Sequence, residues 1–242
     1  MVKSGISGLD EILGGDLPKG SCIILHGGPG SGKTTLAIQF LCKGIVESEE
    51  PGVFITLCEN PDEIRKNMRQ YGWDLEELEA KNKLVIVDAR PVTFNKDGYI
   101  IPNDQLFRGE GVPFSQISRL IVKIINEVGA KRLAIDSITV LTSQYDDQSY
   151  VRQGLLGLIQ VLSSLDCATL LLSEGKGDLN EAVLERALAQ GVILLYYTRK
   201  GYSMARGVQI LKMRGSKHSL DIYHMEISEK GIVVHPEERL EI

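Results

Sequence analysis

The residues with the clearest chemical consequence are Gly27-Gly28-Pro29-Gly30-Ser31-Gly32-Lys33-Thr34, which match G-x-x-x-x-G-K-[ST]. Glycine at these positions lets successive backbone N–H groups turn inward around a phosphate chain. The run follows an apolar strand-like segment, Cys22–Leu25, and precedes a helical pattern that the sequence starts at Thr35. That context is what a phosphate-binding loop requires, because a helix N-terminus adds partial positive charge beneath the phosphates. Lys33 is the expected ligand of the β- and γ-phosphates, and the Thr34 hydroxyl is the expected Mg²⁺ ligand. Gly28, Pro29, Gly30, Ser31, Gly32, Lys33, Thr34 and Thr35 form the expected nucleotide-binding set. From this loop alone the nucleotide is ATP or GTP.

Two acidic residues complete the expected chemistry. Leu133-Ala134-Ile135-Asp136-Ser137 is an apolar strand ending in aspartate, the form of a Walker B element, and it assigns Asp136 to the metal. The competing reading makes Asp136 only the cap of a helix near Ser137. Glu59 follows the strand Val53–Leu57, at the carboxyl end where open α/β sheets bind ligands, and is the candidate base for an attacking water. An exposed loop glutamate before Pro61 is the alternative.

These residues need a scaffold, and the chain supplies one. Cys22–Leu25, Val53–Leu57, Leu84–Val87, Leu133–Ile135 and Ala168–Leu172 are near-continuous apolar runs, as expected of parallel strands buried on both faces. Leu36, Ala37, Phe40 and Leu41, and again Ile117, Leu120, Ile121 and Ile124, recur at helical spacing. Pro61-Asp62-Glu63 opens a further helix. After Gly191 the pattern changes: Val192–Tyr197, Val208–Lys212, Leu220–Ile227 and Ile232–Val234 read as antiparallel strands, the first two joined by Thr198–Gly207. Residues 91–113 read as one long irregular loop. One α/β domain over residues 1–242 is expected.

Composition is that of a globular protein, with 43% hydrophobic and 24% charged residues. No apolar run approaches the ~20 residues that span a bilayer, and Met1–Leu9 does not read as a signal peptide. The expected location is cytoplasmic, without a membrane. Cys22, Cys42, Cys58 and Cys167 are too scattered for a zinc site or a disulfide framework, and three of them read as small core residues. The net charge of −5 gives no global attraction to nucleic acid. Yet Ala187–Leu220 contains no acid, while it carries Arg199, Lys200, Arg206, Lys212, Arg214 and Lys217.

With these residues placed, the chain resembles the KaiC family within the RecA/RadA superfamily of ATPases. The resemblance is carried by Ser4-Gly5-Ile6-Ser7-Gly8-Leu9-Asp10, Gly14–Gly20, the phosphate loop and Phe54–Glu59. It continues through Ile135-Asp136-Ser137, Gln144-Tyr145-Asp146, Val151-Arg152, Lys212-Met213-Arg214-Gly215-Ser216-Lys217-His218 and Lys230-Gly231-Ile232. It implies a RecA-like core, ATP with Mg²⁺ rather than GTP, and a homo-oligomeric ring, commonly a hexamer, with nucleotide between subunits. It further implies that Lys212, Met213, Arg214, Ser216 and His218 reach nucleotide bound by a neighbour, with Lys212 and Arg214 supplying catalytic charge in trans. KaiC domains carry paired glutamates where this chain has Cys58-Glu59, which implies slow hydrolysis on one base. Ser173-Glu174 resemble the family's γ-phosphate-sensing position.

The function expected from these readings is a ring-forming ATPase that switches the state of a partner protein. A DNA-binding recombinase paralogue ranks second, because the loops Ser143–Gln148 and Glu174–Glu181 are acidic overall whereas phosphate contacts need Lys and Arg. The basic hairpin at Arg199-Lys200 keeps that reading in play. An autokinase and a nucleotide-gated structural ring are the remaining alternatives.

Overall fold

A computed structural model describes residues 1–94, 100–102, 112–175 and 183–241. Its strands are β1 (Cys22–Gly27), β2 (Gly52–Thr56), β3 (Leu84–Asp88), β4 (Val92–Phe94), β5 (Ile100–Pro102), β6 (Arg132–Asp136), β7 (Ala168–Glu174), β8 (Gly191–Lys200), β9 (Ser203–Met213), β10 (Ile222–Ser228) and β11 (Gly231–Arg239). The helices are α1 (Leu9–Ile12), α2 (Lys33–Ser48), α3 (Pro61–Met68), α4 (Leu75–Ala80), α5 (Phe114–Val128), α6 (Ile138–Thr142), α7 (Gln148–Ser164) and α8 (Val183–Leu188). Nine strands form one sheet in the order β11-β10-β9-β8-β1-β7-β6-β2-β3. Six of them, β8 through β3, run parallel, and β9, β10 and β11 extend the sheet in antiparallel fashion.

The apolar runs behave as their composition demands. Ile23 and Leu25 of β1 enter one core with Phe54, Leu170, Leu172 and the inner face of α2. Cys22 and Ile24, pointing the other way, enter a second core with Val53, Ile55, Ile121 of α5 and Leu155 of α7. A strand buried on both faces has no polar alternation, and that is why these segments read as continuous apolar text. Cys22, Cys42 and Cys167 are buried, whereas Cys58 is exposed.

Three expectations are corrected. Helix α2 starts at Lys33, two residues before the expected start at Thr35, because Gly32 at φ 98° turns the chain into it. The connection Thr198–Gly207 is mostly strand: β8 and β9 pair as far as Lys200 and Ser203, so the turn is only Gly201-Tyr202. Within residues 91–113, β4 and β5 form a short antiparallel ribbon rather than an irregular loop. The rest of that stretch, 95–99 and 103–111, lies outside the described residues, as does 176–181 of the acidic loop after β7. Among the described residues no helix is long and apolar enough to cross a membrane.

Candidate nucleotide site

The carboxyl ends of β1, β2, β6 and β7 open onto a cleft of about 590 Å³. Its floor is the phosphate loop. Gly30 (φ 76°) and Gly32 (φ 98°) adopt left-handed backbone that side chains disfavour, and a Cβ on Gly27 would lie 2.6 Å from the Leu195 carbonyl. Ser31 Oγ donates to the Gly28 carbonyl at 2.7 Å and holds the loop closed. Gly32 provides no side-chain cap for α2, so the first N–H groups of that helix are left for an anion. The loop is therefore a cradle that fits phosphate and would be spoiled by side chains.

Lys33 is buried and donates to the Gly27 and Gly28 carbonyls at 2.8 and 3.1 Å. Burial pushes its ammonium below the ordinary lysine value, while the charges of Glu174 and Asp136 pull it back up. The Thr34 hydroxyl donates to Asp136 Oδ2 at 2.7 Å, joining the two groups that sequence assigns to the metal. Asp136 is 5% exposed. Burial raises its carboxyl above the ordinary value against the opposing pull of Thr34 and Lys33. Asp136 does not cap α6: Ser137 occupies the cap position and makes no side-chain cap bond.

Glu59 is set by a local device. Thr56 Oγ1 accepts from the Glu59 N–H at 2.9 Å and donates to its carbonyl at 2.8 Å, which ties off the turn at the end of β2. Asn60 then caps α3 by accepting from the Asp62 N–H. Glu59 and Cys58 thus face the cleft with Lys33, Thr34, Asp136 and Glu174. Desolvation raises the Glu59 carboxyl, and the neighbouring acids Asp136, Glu63 and Glu174 raise it further. Desolvation also raises the Cys58 thiol, partly offset by the Ser137 backbone N–H. Ser173 does not reach the cleft: it is buried in β7, 3.2 Å from His26 Nδ1.

The segment Lys212–His218 is elsewhere. In the β8–β9 register Met213 pairs with Gly191 and Lys212 with Val192, whereas the phosphate loop follows Gly27, which pairs with Leu195. Lys212 Nζ donates to the carbonyls of Arg186, Ala187 and Ala189, and Arg214 leans on the Ala187 carbonyl at 3.5 Å. Met213 is buried against Gly191, Ser216 Oγ donates to the Leu13 carbonyl, and His218 Nδ1 lies 2.9 Å from the Ser219 carbonyl. The N-terminal motif packs here: a Cβ on Gly14 would lie 2.7 Å from the Lys217 carbonyl. Two motifs far apart in sequence therefore form one unit.

Sequence reasoning missed part of the cleft wall. Arg206 Nε donates to the Gly30 carbonyl at 3.0 Å, and its guanidinium lies 4.7 Å from the Tyr197 ring centroid. Tyr71, Met68 and Ile227 also line the cleft. Arg206 stood out only as one cation in an acid-free stretch; Tyr71 and Ile227 carried no signal.

A family model described as "ATPase: KaiC" matches residues 2–239. A UPF0273 protein of Methanocaldococcus jannaschii is 34% identical over 250 residues, covering 100% of this chain and 98% of that protein. The circadian clock oscillator protein KaiC of Synechococcus elongatus is 35% identical over 238 residues; the match takes in 97% of this chain but only 44% of the clock protein. The crystal structure of a KaiC-like protein from Pyrococcus horikoshii superposes with a TM-score of 0.82 at 37% identity, covering 97% of this chain and 98% of the other. With a phosphate cradle at the end of β1 and a match over almost its whole length, this chain belongs to the KaiC family of P-loop ATPases and has that family's RecA-type fold.

Proposed function

We propose that the protein is a slow, Mg²⁺-dependent ATPase whose turnover requires a ring of subunits, each lending Lys212, Met213, Arg214, Ser216 and His218 to its neighbour's nucleotide, and that this cycle switches a partner protein. The observation that carries the reading is the register of β9. Lys212 and Met213 pair with Val192 and Gly191, three or more residues along β8 from Leu195 beside Gly27. At ~3.3 Å per residue that is roughly 10 Å of strand leading away from the phosphate loop. A chain arranged in this way does not complete its own site with this segment. A neighbour in a closed ring is the natural recipient.

Within one subunit the loop N–H groups and the start of α2 bind phosphate, and Lys33 exchanges the Gly27 and Gly28 carbonyls for phosphate oxygens. Thr34 and Asp136 would hold Mg²⁺, which when bound neutralises charge on the phosphates. Glu59 accepts the proton of the attacking water, a task that its raised carboxyl suits. Arg214 of the adjacent subunit stabilises the charge that develops on the transferred phosphoryl group. Arginines supplied in this way are worth ~10³–10⁵ in rate. The thiol of Cys58, in place of a second glutamate, supports slow turnover.

Co-expression of Lys33→Ala with Arg214→Ala chains tests the arrangement. Each variant alone should lose phosphate release, and Arg214→Ala should still bind ATP. The mixture should recover up to about a quarter of the sites, those pairing an intact loop with an intact neighbouring arginine. A monomer that hydrolyses ATP at the wild-type rate overturns the proposal.

A second reading has one observation in its favour. The β8–β9 ribbon ends in a fully exposed Tyr202 beside Arg199 and Lys200, a stacking surface next to cations. A salt-sensitive gel shift with single-stranded DNA would promote it, and the absence of a shift at physiological ionic strength would remove it.

A further inference from the structure

The C-terminal hairpin carries a cluster that the nucleotide cleft does not use. His224 of β10 and His235 of β11 are register partners, their rings 5.4 Å apart and 28° from parallel. The next pair is Tyr223 with Arg239, so Pro236, Glu237 and Glu238 are extra residues that bulge from β11. A bulge re-aims side chains. Here it brings Glu238 Oε2 to 3.4 Å from His224 Nδ1, and Glu237 Oε1 to 3.4 Å from His235 Nδ1. Glu226, two residues beyond His224 on the same face, sets Oε2 3.6 Å from His235 Nε2. One donor atom from each of His235, Glu237 and Glu238 lies within 4.8 Å of the other two.

Ion pairs between protonated histidines and glutamates would be the plainer account. Two features argue for more. His224 Nδ1 and His235 Nε2 are shielded from solvent and make no hydrogen bond among the described residues, while the carboxylate contacts are longer than good hydrogen bonds. Buried imidazole nitrogens without a partner call for one, and a cation held among these carboxylates would be such a partner. The β9 partner of His224 is Gly207, which brings no side chain, and Arg239 is paired instead with Asp221 at 2.9 Å. Imidazole combined with carboxylate selects borderline divalent ions, whereas Mg²⁺ and Ca²⁺ favour all-oxygen sites.

We propose that His235, Glu237 and Glu238, with His224 beside Glu238, form a binding site for one divalent transition ion of the zinc, cobalt and nickel class, on the C-terminal hairpin and outside the nucleotide cleft. Such an ion would pin the bulge of β11 onto His235 at its base.

The experiment is a titration of Zn²⁺ or Co²⁺ into untagged, chelator-treated, nucleotide-free protein. Calorimetry should give one ion per chain, and Co²⁺ should develop the absorption of a nitrogen- and oxygen-ligated site. His235→Asn and Glu238→Gln should each weaken binding at least ~10-fold, since ligand-shell changes at metal sites cost this much or more. Cys58→Ser should leave binding unchanged. If binding is lost in Cys58→Ser and kept in His235→Asn, the ion sits in the nucleotide cleft and the proposal fails. It also fails if wild-type protein binds no ion. Should a variant misfold, Co²⁺ broadening of the His224 and His235 imidazole resonances in wild-type protein decides: sharp lines at saturation overturn the site.

Discussion

Glu59 and Asp136 face one cleft, yet their carboxyls are raised for different consequences. Glu59 is at the mouth, and a base there works only when ionised. Hydrolysis should therefore fall as pH drops through a value above the ordinary carboxylate range. Glu59→Gln should lower kcat by ~10²-fold or more, with little change in KM, and abolish that acid limb. Phosphate release measured against pH checks this; an unchanged acid limb in the variant would assign it to another group. Asp136 is buried, and its folded-state pKa is raised, so the folded protein holds that proton more tightly than the unfolded chain. The sign follows: ionised Asp136 costs stability at neutral pH, and the cost is relieved as pH falls through the raised value. Asp136→Asn keeps an acceptor for the Thr34 hydroxyl and removes the charge. It should raise the nucleotide-free Tm, by about 2–4 °C for each kcal/mol recovered, while hydrolysis is lost. Calorimetry at pH 7 and in acid should show the gap between the two proteins closing in acid.

Helix α2 shows how an element is held in register with the sheet that positions its first residues. Arg132 of β6 is 1% exposed, pairs with Glu50 at 2.7 Å, donates to the Phe40 carbonyl at 2.8 Å and lies 4.6 Å from the Phe40 ring centroid. Gly44 of α2 leaves room for it, since a Cβ there would fall 2.0 Å from Arg132 Nε. Glycine to alanine inside a helix normally gains ~0.5–1 kcal/mol. Here the guanidinium is fixed on three sides, so Gly44→Ala should destabilise by ~1–3 kcal/mol instead. Urea unfolding measures the sign; a stabilised variant would mean that Arg132 moves freely. The same contrast explains what was legible in the sequence. Ile23, Ile24, Ile55 and Ile135 announce strands because both faces of the sheet are covered. Arg199, Lys200, Ser203 and Met204 do not, because the free end of a two-stranded ribbon is solvated and carries no apolar pattern. In the candidate site, Lys33, Thr34, Asp136 and Glu59 are readable, since phosphate and metal chemistry restricts residue type at local spacing. Tyr71, Arg206 and Ile227 come from three separate elements and meet only through long-range packing.

At the scale of the molecule, the phosphate loop lies at one end of the sheet and the Lys212–His218 segment towards the other. If assembly and nucleotide are coupled as proposed, ATP·Mg²⁺ should shift the particle mass upward in light scattering. The apparent Tm at saturating ATP should then rise with protein concentration, because a partner subunit stabilises by mass action. A Tm unchanged over a wide dilution range would separate nucleotide binding from assembly. Any such assembly would be constrained by β11, which closes one side of the sheet. An edge strand with free N–H and C=O groups is a template on which further chains can pair without limit. β11 is a poor template. Pro236 has no N–H to offer, three residues bulge out of register, and Glu237, Glu238 and Arg239 crowd the last turn of the strand with charge. Sheet extension through this edge is thereby discouraged, so copies meeting here would have to join through side chains. The irregular tail of this hairpin acts as a stop against open-ended fibrous growth through this edge.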